Sequence, residues 1–281
     1  MPEHSTDPRP MLRVNDVTET STRSVDQFDR VVVEAPLAIS VDQKTLLTTM
    51  RTPGHDEELA VGWLLSEAEI KAPTDIISVE RVGASDLRHW GVEGESAVDT
   101  VLAQLGADVV PPRPRAYLTS SSCGVCSSDV LATTPKPAVA LHSEDWVITP
   151  QVAHVLIKQM RCEQKMFDLT GSLHAAALAD PNNKLLVVRE DVGRHNAVDK
   201  VLGNAFLDGN FPLTDHILVV SGRVSYEIVT KALSASVAAI VAVSGPTTLA
   251  VDLARAHGLV LIGFTRDDRL NVYSGKGRVK L

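Results

Sequence analysis

The chain predicts an α/β fold: a larger domain of alternating strands and helices, preceded by a smaller β-rich α+β domain. Three observations carry that class. Hydrophobic residues fill 44% of the 281 positions but aromatic residues only 4%, so Val, Leu, Ile and Ala must build the core, as they do around a buried sheet. From residue 148 onward short apolar runs alternate with amphipathic ones, the pattern of crossover units around a mostly parallel sheet. Between the two halves, "VVPPRPRAY" (109–117) can continue neither a helix nor a central strand.

Residues 1–28 are polar and proline-bearing and read as an unordered lead-in. The smaller domain covers 29–115. Within it, "DRVVVEAPLAISVDQKTLLTTMR" predicts two strands about a turn at Asp42-Gln43. "TPGHDEELAVGWLLSEAEI" predicts a helix. Pro53 and Gly54 break the preceding strand, Asp56 can cap, and Glu57 and Glu58 suit the positive end of the helix dipole. Leu59, Trp63, Leu64 and Ile70 supply its apolar face. "IISVERVG" is another strand, whereas residues 84–108 show no clear period.

The larger domain, 116–281, opens with a cysteine-bearing loop at 119–129 that is expected to be mobile. A helix follows over "ITPQVAHVLIKQMRCEQKMF", with Thr149 as its cap and Pro150 in its first turn. Strands are predicted at "SLHAAALAD", "NKLLVVRE", "DHILVVSGR", "VAAIVAVSG" and "LVLIGFTR". From the second of these onward, helices intervene at "DVGRHNAVDKVLGNAFLDG", "SYEIVTKALSAS" and "PTTLAVDLARAHG".

Charge and hydropathy remove several function classes. A formal net charge of −8 argues against nucleic acid as a partner. The N-terminus lacks the apolar segment of a signal peptide, and the most apolar stretch, "VAAIVAVSG", is too short to span a bilayer. The expected location is therefore the cytoplasm, with no membrane partner. Thiols stay reduced there, which disfavours a structural disulfide among three cysteines.

In sheets of this kind, the loops after the strands gather along one ligand-binding edge. Four such loops carry glycine, arginine or hydroxyl groups: "REDVGRHN", "SGRVS", "SGPTT" and "TRDDR". Together they suit an anionic, polar ligand. In the first, Arg189, Arg194 and His195 can meet phosphates or a guanine edge, while Glu190 and Asp191 can receive guanine N–H groups. Ser221 and Arg223 come from the second. In the last, Arg266 and Arg269 offer guanidinium forks for phosphate oxygens.

The stretch "TSSSCGVCSSD" places Cys123 and Cys126 among serines and one glycine, a setting unlike that of core cysteines. Three chemistries fit it. Zinc would need a third and fourth ligand, for which Cys162 and His174 are the candidates. A zinc-deaminase arrangement fails because the order of its signature is reversed and "HAA" at His174 lacks the proton-moving glutamate. A redox dithiol is weakened by the short helix that "SSD" followed by "VLATTPKP" would allow. A hydrated, exposed thiolate suits a sulfur carrier, with the second thiol assisting release. Cys162, inside a helix, reads as a small, partly buried residue. His174 reads either as a hydrogen-bonded core residue or as part of a site.

The segments "TPGHDEELAVGWLLSE", "SSCGVC", "TGSLHAAAL", "REDVGRHNAVDKV", "SGRVSYEIVTKA", "PTTLAVDLA" and "LIGFTRDDRLNVYS" resemble, in this order, the formate dehydrogenase accessory sulfurtransferases of the FdhD/NarQ family. The resemblance runs from about Glu34 to Tyr273. It departs at Ser127, where glycine is usual, and at "TGS" and "SGPT", where "TGG" and "SAPT" are common. The resemblance implies a cytidine-deaminase-like fold for the larger domain. It implies that Cys123 carries sulfur as a persulfide received from a cysteine desulfurase, with Cys126 assisting. The acceptor it implies is a molybdenum bis(molybdopterin guanine dinucleotide) cofactor, sulfurated before insertion into formate dehydrogenase. Phe264, Thr265, Arg266, Asp267, Asp268 and Arg269 match the family segment that contacts this cofactor. A homodimer is likewise implied, and no protein-bound metal. The competing reading is a nucleotide-binding regulatory module with structural zinc at the two cysteines.

Overall fold

The computed structural model describes residues 5–15, 23–68, 70–82, 98–114, 118–119, 137–266 and 268–281; Cys123, Cys126 and Asp267 lie outside them. Where an unordered lead-in was expected, β1 (Thr6–Asn15) and β2 (Arg23–Val32) form a two-stranded antiparallel sheet. Met11, Leu12, Val25, Phe28, Val31 and Val32 are strand-forming residues spaced along a polar background. The prolines that argued against structure, Pro8 and Pro10, lie on an edge strand, where a missing N–H does no harm.

A five-stranded sheet follows, in the order β5-β6-β3-β4-β7. Its β3 (Ala35–Val41) and β4 (Lys44–Arg51) form the expected hairpin. The turn works because Asp42 and Gln43 both accept positive φ, 48° and 66°. β5 (Ile76–Val82) agrees with the sequence reading. β6 (Asp99–Leu105) does not; it runs parallel to β3 between β3 and β5, out of the stretch without clear period. Its Val101 and Ala103 are buried, but Asp99, Thr100 and Gln104 make it too mixed in polarity to announce a central strand. β7 (Leu118–Thr119) pairs with β4 just before the cysteine stretch.

The larger sheet has the order β13-β12-β11-β10-β8-β9. It is mixed, which corrects the expectation of a mostly parallel sheet. β10 (Ile217–Val220), β11 (Ala239–Ala242) and β12 (Val260–Arg266) are parallel, linked through helices. β8 (His174–Ala179) and β9 (Leu185–Asp191) instead form a hairpin, as do β12 and β13 (Arg269–Ser274). The first hairpin turns at Asp180, whose carboxylate accepts the N–H groups of Asn182 and Lys184 at 2.9 and 2.8 Å, while Asn183 sits at φ 65°. So short a connection cannot make a crossover.

Helix α1 (Asp56–Glu67) joins the two sheets. Its N-cap is His55 in the left-handed region, not Asp56, which is helical and buried in an ion pair. Ile70 lies beyond the helix end, although it is buried. Leu59 to Leu65 are buried on every side because α1 packs against the smaller sheet on one face and α4 (Arg194–Leu207) on the other. The helices meet at two glycines. A Cβ on Gly203 would collide with the carbonyl of Glu58, and one on Gly62 with that of Asp199.

The expected long helix before β8 is two: α2 (Pro150–Glu163), capped by Thr149 as expected, and α3 (Lys165–Thr170). Helices α5 (Tyr226–Ser234) and α6 (Thr248–Ala256) complete the crossovers. Among the described residues no helix is long and apolar enough to cross a membrane.

Candidate functional site

Strands β9, β10, β11 and β12 point one way and β8 the other, so four strand ends and the start of β8 share one edge. That edge collects His174, Asp191, Ser221, Val243 and Thr265 with Arg266. Helices α2 and α3 close over it, leaving a cavity of about 560 Å³. Ser221 ends β10 by bonding Ala175 twice: its N–H donates to the Ala175 carbonyl at 3.0 Å, and its Oγ accepts the Ala175 N–H at 2.9 Å. The Thr265 hydroxyl also lines the cavity; it is fully buried and has no partner among the described residues. Such a group requires a hydrogen-bonding ligand or water.

His174 is held neutral at neutral pH. Burial lowers its pKa from the ordinary 6.5, and the positive fields of Arg194, His195 and Arg223 lower it further against the opposing Asp191. His195 Nε2 lies 2.9 Å from the Glu227 carboxylate and 3.2 Å from Ser225 Oγ.

Two arginines stand at the cavity wall, each beside a ring. Arg266 lies 5.7 Å from the Phe264 ring centre, and Arg161 lies 5.0 Å from that of Phe167. Phe264 adopts φ 53°, an unusual conformation for an aromatic residue. Its ring fills the space where a side chain at position 245 would stand, which is why Gly245 is required there. Arg269 pairs opposite Arg266 across the β12–β13 hairpin, and Asp268 sits exposed in its turn.

Other residues expected at a ligand are placed elsewhere. Arg189 gives both arms to Glu58 of α1, at 2.6 and 2.7 Å. Burial pushes Glu58 up, but hydrogen bonds from Arg189 and His55 outweigh it and hold the carboxyl at about 2. Asp191 is fully buried against Lys200 at 2.7 Å and accepts N–H groups from Thr52, Gly193 and Asn196. Glu190 accepts the N–H groups of Met166 and Phe167 at 2.9 and 2.8 Å and so fastens α3 to β9. These three side chains build the site's frame. Arg194, His195, Ser221, Arg223, Phe264, Thr265, Arg266 and Arg269 remain at the ligand edge or its turn.

Sequence reasoning missed the wall facing this edge, above all Arg161, Gln164 and Phe167. Their signal was faint. The positions Ile157, Met160, Gln164 and Phe167 follow helical spacing across the break between α2 and α3, but a single long helix had been read there.

Residues 32–280 match the sequence model of the FdhD/NarQ family. The chain is 41% identical to the sulfur carrier protein FdhD of Corynebacterium efficiens, covering 92% of this chain and 94% of the relative. It is 40% identical to that of Streptomyces coelicolor over 98% and 96% of the two chains. The archaeal counterpart in Sulfolobus acidocaldarius is 37% identical over 96% and 98%. The fold is also similar to a crystal structure of a candidate formate dehydrogenase accessory protein from Desulfotalea psychrophila. The TM-score is 0.74 with 20% identity, covering 98% of this chain and 100% of the other. With the family's sequence pattern spanning nearly all of it, this chain belongs to the FdhD/NarQ family.

Proposed function

We propose that the chain is a sulfur carrier accessory to formate dehydrogenase, acting in the cytoplasm. Cys123 accepts sulfur from a cysteine desulfurase and passes it to a molybdenum bis(molybdopterin guanine dinucleotide) cofactor held at the strand edge. In the accepting step the Cys123 thiolate attacks the outer sulfur of the desulfurase persulfide. A new S–S bond forms on Cys123, the old one breaks, and the desulfurase thiolate leaves, so no external oxidant is required. The Cys126 thiolate can then attack the inner sulfur, closing a Cys123–Cys126 disulfide and expelling the outer sulfur as hydrosulfide to the acceptor; a thiol reductant reopens the disulfide for the next turnover.

The observation that supports this reading best is the chemistry of the cavity. Its wall combines Arg161 and Arg266, the orphaned Thr265 hydroxyl and a neutral His174. Guanidinium forks suit phosphate oxygens, and the hydroxyl and imidazole can pair with a guanine or pterin edge. The rings of Phe264 and Phe167 lie beside the arginines and offer faces for stacking. A chain with net charge −8 would repel a dinucleotide anion unless positive groups were gathered where it binds, as they are along this edge.

The double variant Arg266→Ala/Arg269→Ala tests the reading. It is expected to take up sulfur on Cys123 at the normal rate but to leave formate dehydrogenase inactive. Normal maturation of the dehydrogenase by this variant would remove the edge from the site. Zinc bound in a fixed ratio to the purified protein would favour the alternative, a regulatory module with a metal at Cys123 and Cys126.

A further inference from the structure

Arg161 lines the cavity from the last turn of α2, yet one arm of its guanidinium is held by an acid of the same chain. Nη2 donates to Asp168 Oδ1 of α3 at 2.6 Å, and the guanidinium carbon rests 5.0 Å from the Phe167 ring centre. The break at Gln164 creates this geometry. It turns the chain between α2 and α3, so that Asp168 comes back beside Arg161, seven residues earlier. Asp168 does not itself line the cavity, so it holds that arm at the rim. The pair does little for the fold. Both side chains are half exposed, 50% and 53%, and an ion pair so open to water and salt adds little stability. Helix α3 has firmer tethers. Glu190 accepts the N–H groups of Met166 and Phe167, and Gln164 at the corner is buried.

We propose that Asp168 is an internal competitor for Arg161, exchanged for a phosphate of the ligand on binding and returning on release. This rests on the reading of the cavity as the site of a nucleotide-bearing cofactor, and it adds how the grip of that site is set. A pyrophosphate group brings more charge and more acceptor oxygens than one carboxylate, so it can displace Asp168 from the guanidinium fork. Arg161 is open to the ligand only for the fraction of time that Asp168 lets go, and affinity is reduced by that fraction. A carrier that must surrender its cofactor to the dehydrogenase gains from such a device. The returning carboxylate takes over the cation that the departing phosphate leaves, so release does not strand an unpaired charge. The backbone tethers of α3 stay in place throughout, and only two exposed side chains have to move.

Calorimetry with GDP on the full chain tests the exchange through a mutant cycle. Asp168→Asn keeps the shape of the side chain and removes its charge. It should tighten GDP binding about three- to fivefold, the upper end of what an exposed ion pair contributes. Arg161→Gln should weaken binding at least about tenfold. In the Arg161→Gln background, Asp168→Asn should change affinity less than about twofold, because nothing is left to compete for. A full three- to fivefold gain in that background would overturn the proposal, since Asp168 would then act by repulsion at a distance. Equal GDP affinity of wild type and Asp168→Asn, with Arg266→Ala still weakening binding, would overturn it while leaving the nucleotide site standing. A wild type that binds no GDP would overturn both. Thermal unfolding of Asp168→Asn should match wild type, and a variant that unfolds earlier would make the pair structural and remove the competitor role.

Discussion

Arg266 and Arg189 illustrate how the same residue type divides between cavity wall and frame. Arg266 is exposed at the cavity wall, whereas Arg189 spends its fork on Glu58. Arg266→Ala should weaken GDP binding by about 1.5–3 kcal/mol, the worth of a charged hydrogen bond. Calorimetry with GDP measures this. Arg189→Ala should leave GDP affinity unchanged and instead lower unfolding stability by a similar ~1.5–3 kcal/mol, because Glu58 loses its two charged hydrogen bonds from Arg189 in a part-buried site. Equal GDP affinity of wild type and Arg266→Ala would place the nucleotide elsewhere. At this scale the sequence shows residue types in the right loops but not their partners. "REDVGRHN" contains five charged or titratable groups before Asn196 that look equally suited to a ligand. Only tertiary packing assigns Asp191 to Lys200 and Thr52, and Glu190 to the start of α3.

At the scale of elements, the α1–α4 crossing fixes how the two sheets meet. Gly203 is needed because α1 backbone occupies the place of its Cβ, so Gly203→Ala must push two helices apart or bend one. Overpacking of this kind costs about 1–3 kcal/mol, and more where backbone rather than a side chain must yield. Chemical denaturation should report that loss. A variant as stable as wild type would show that the helices can separate freely. The alternating strands and helices of the larger domain were legible because each carries its own period and caps, as Thr149 and Pro150 do for α2. β6 and the ribbon were not. β6 owes its place to burial beside β3, and β1 and β2 stand as strands through mutual pairing despite Pro8 and Pro10. The mixed direction of the larger sheet was hidden for another reason: the turn at Asp180 is too short for a helix, but the strand pattern on either side of it reads the same in both directions.

Over the whole molecule, buried ion pairs brace the strands and helices around each sheet, Arg189–Glu58 fastens the larger sheet to α1, and together they make stability depend on pH. Arg51 holds Asp56 and Asp99, Lys200 holds Asp191, and Lys231 holds Asp199. The Glu58 carboxyl sits at about 2 in the fold against an ordinary 4.5. Its contribution is therefore present above pH 4.5 and lost as pH falls through that window toward 2. Asp199 works in the opposite sense. Burial, only partly offset by Lys231, raises it to about 6, so its ionisation costs stability as pH rises from 3.8 to 6. Glu58→Gln should flatten the acid limb of a stability profile below pH 4.5, measured by denaturation at a series of pH values. An acid limb as steep as in wild type would assign the loss to other carboxylates.

The central claim is that Cys123 carries sulfur to an acceptor held at the strand edge. Intact-protein and peptide mass spectrometry after incubation with a cysteine desulfurase and cysteine tests it most directly. The account predicts a gain of one sulfur atom, mapped to Cys123, removed by reduction and missing from Cys123→Ala. A wild-type protein that gains no sulfur, or a Cys123→Ala variant that gains it at the normal rate, would contradict the account.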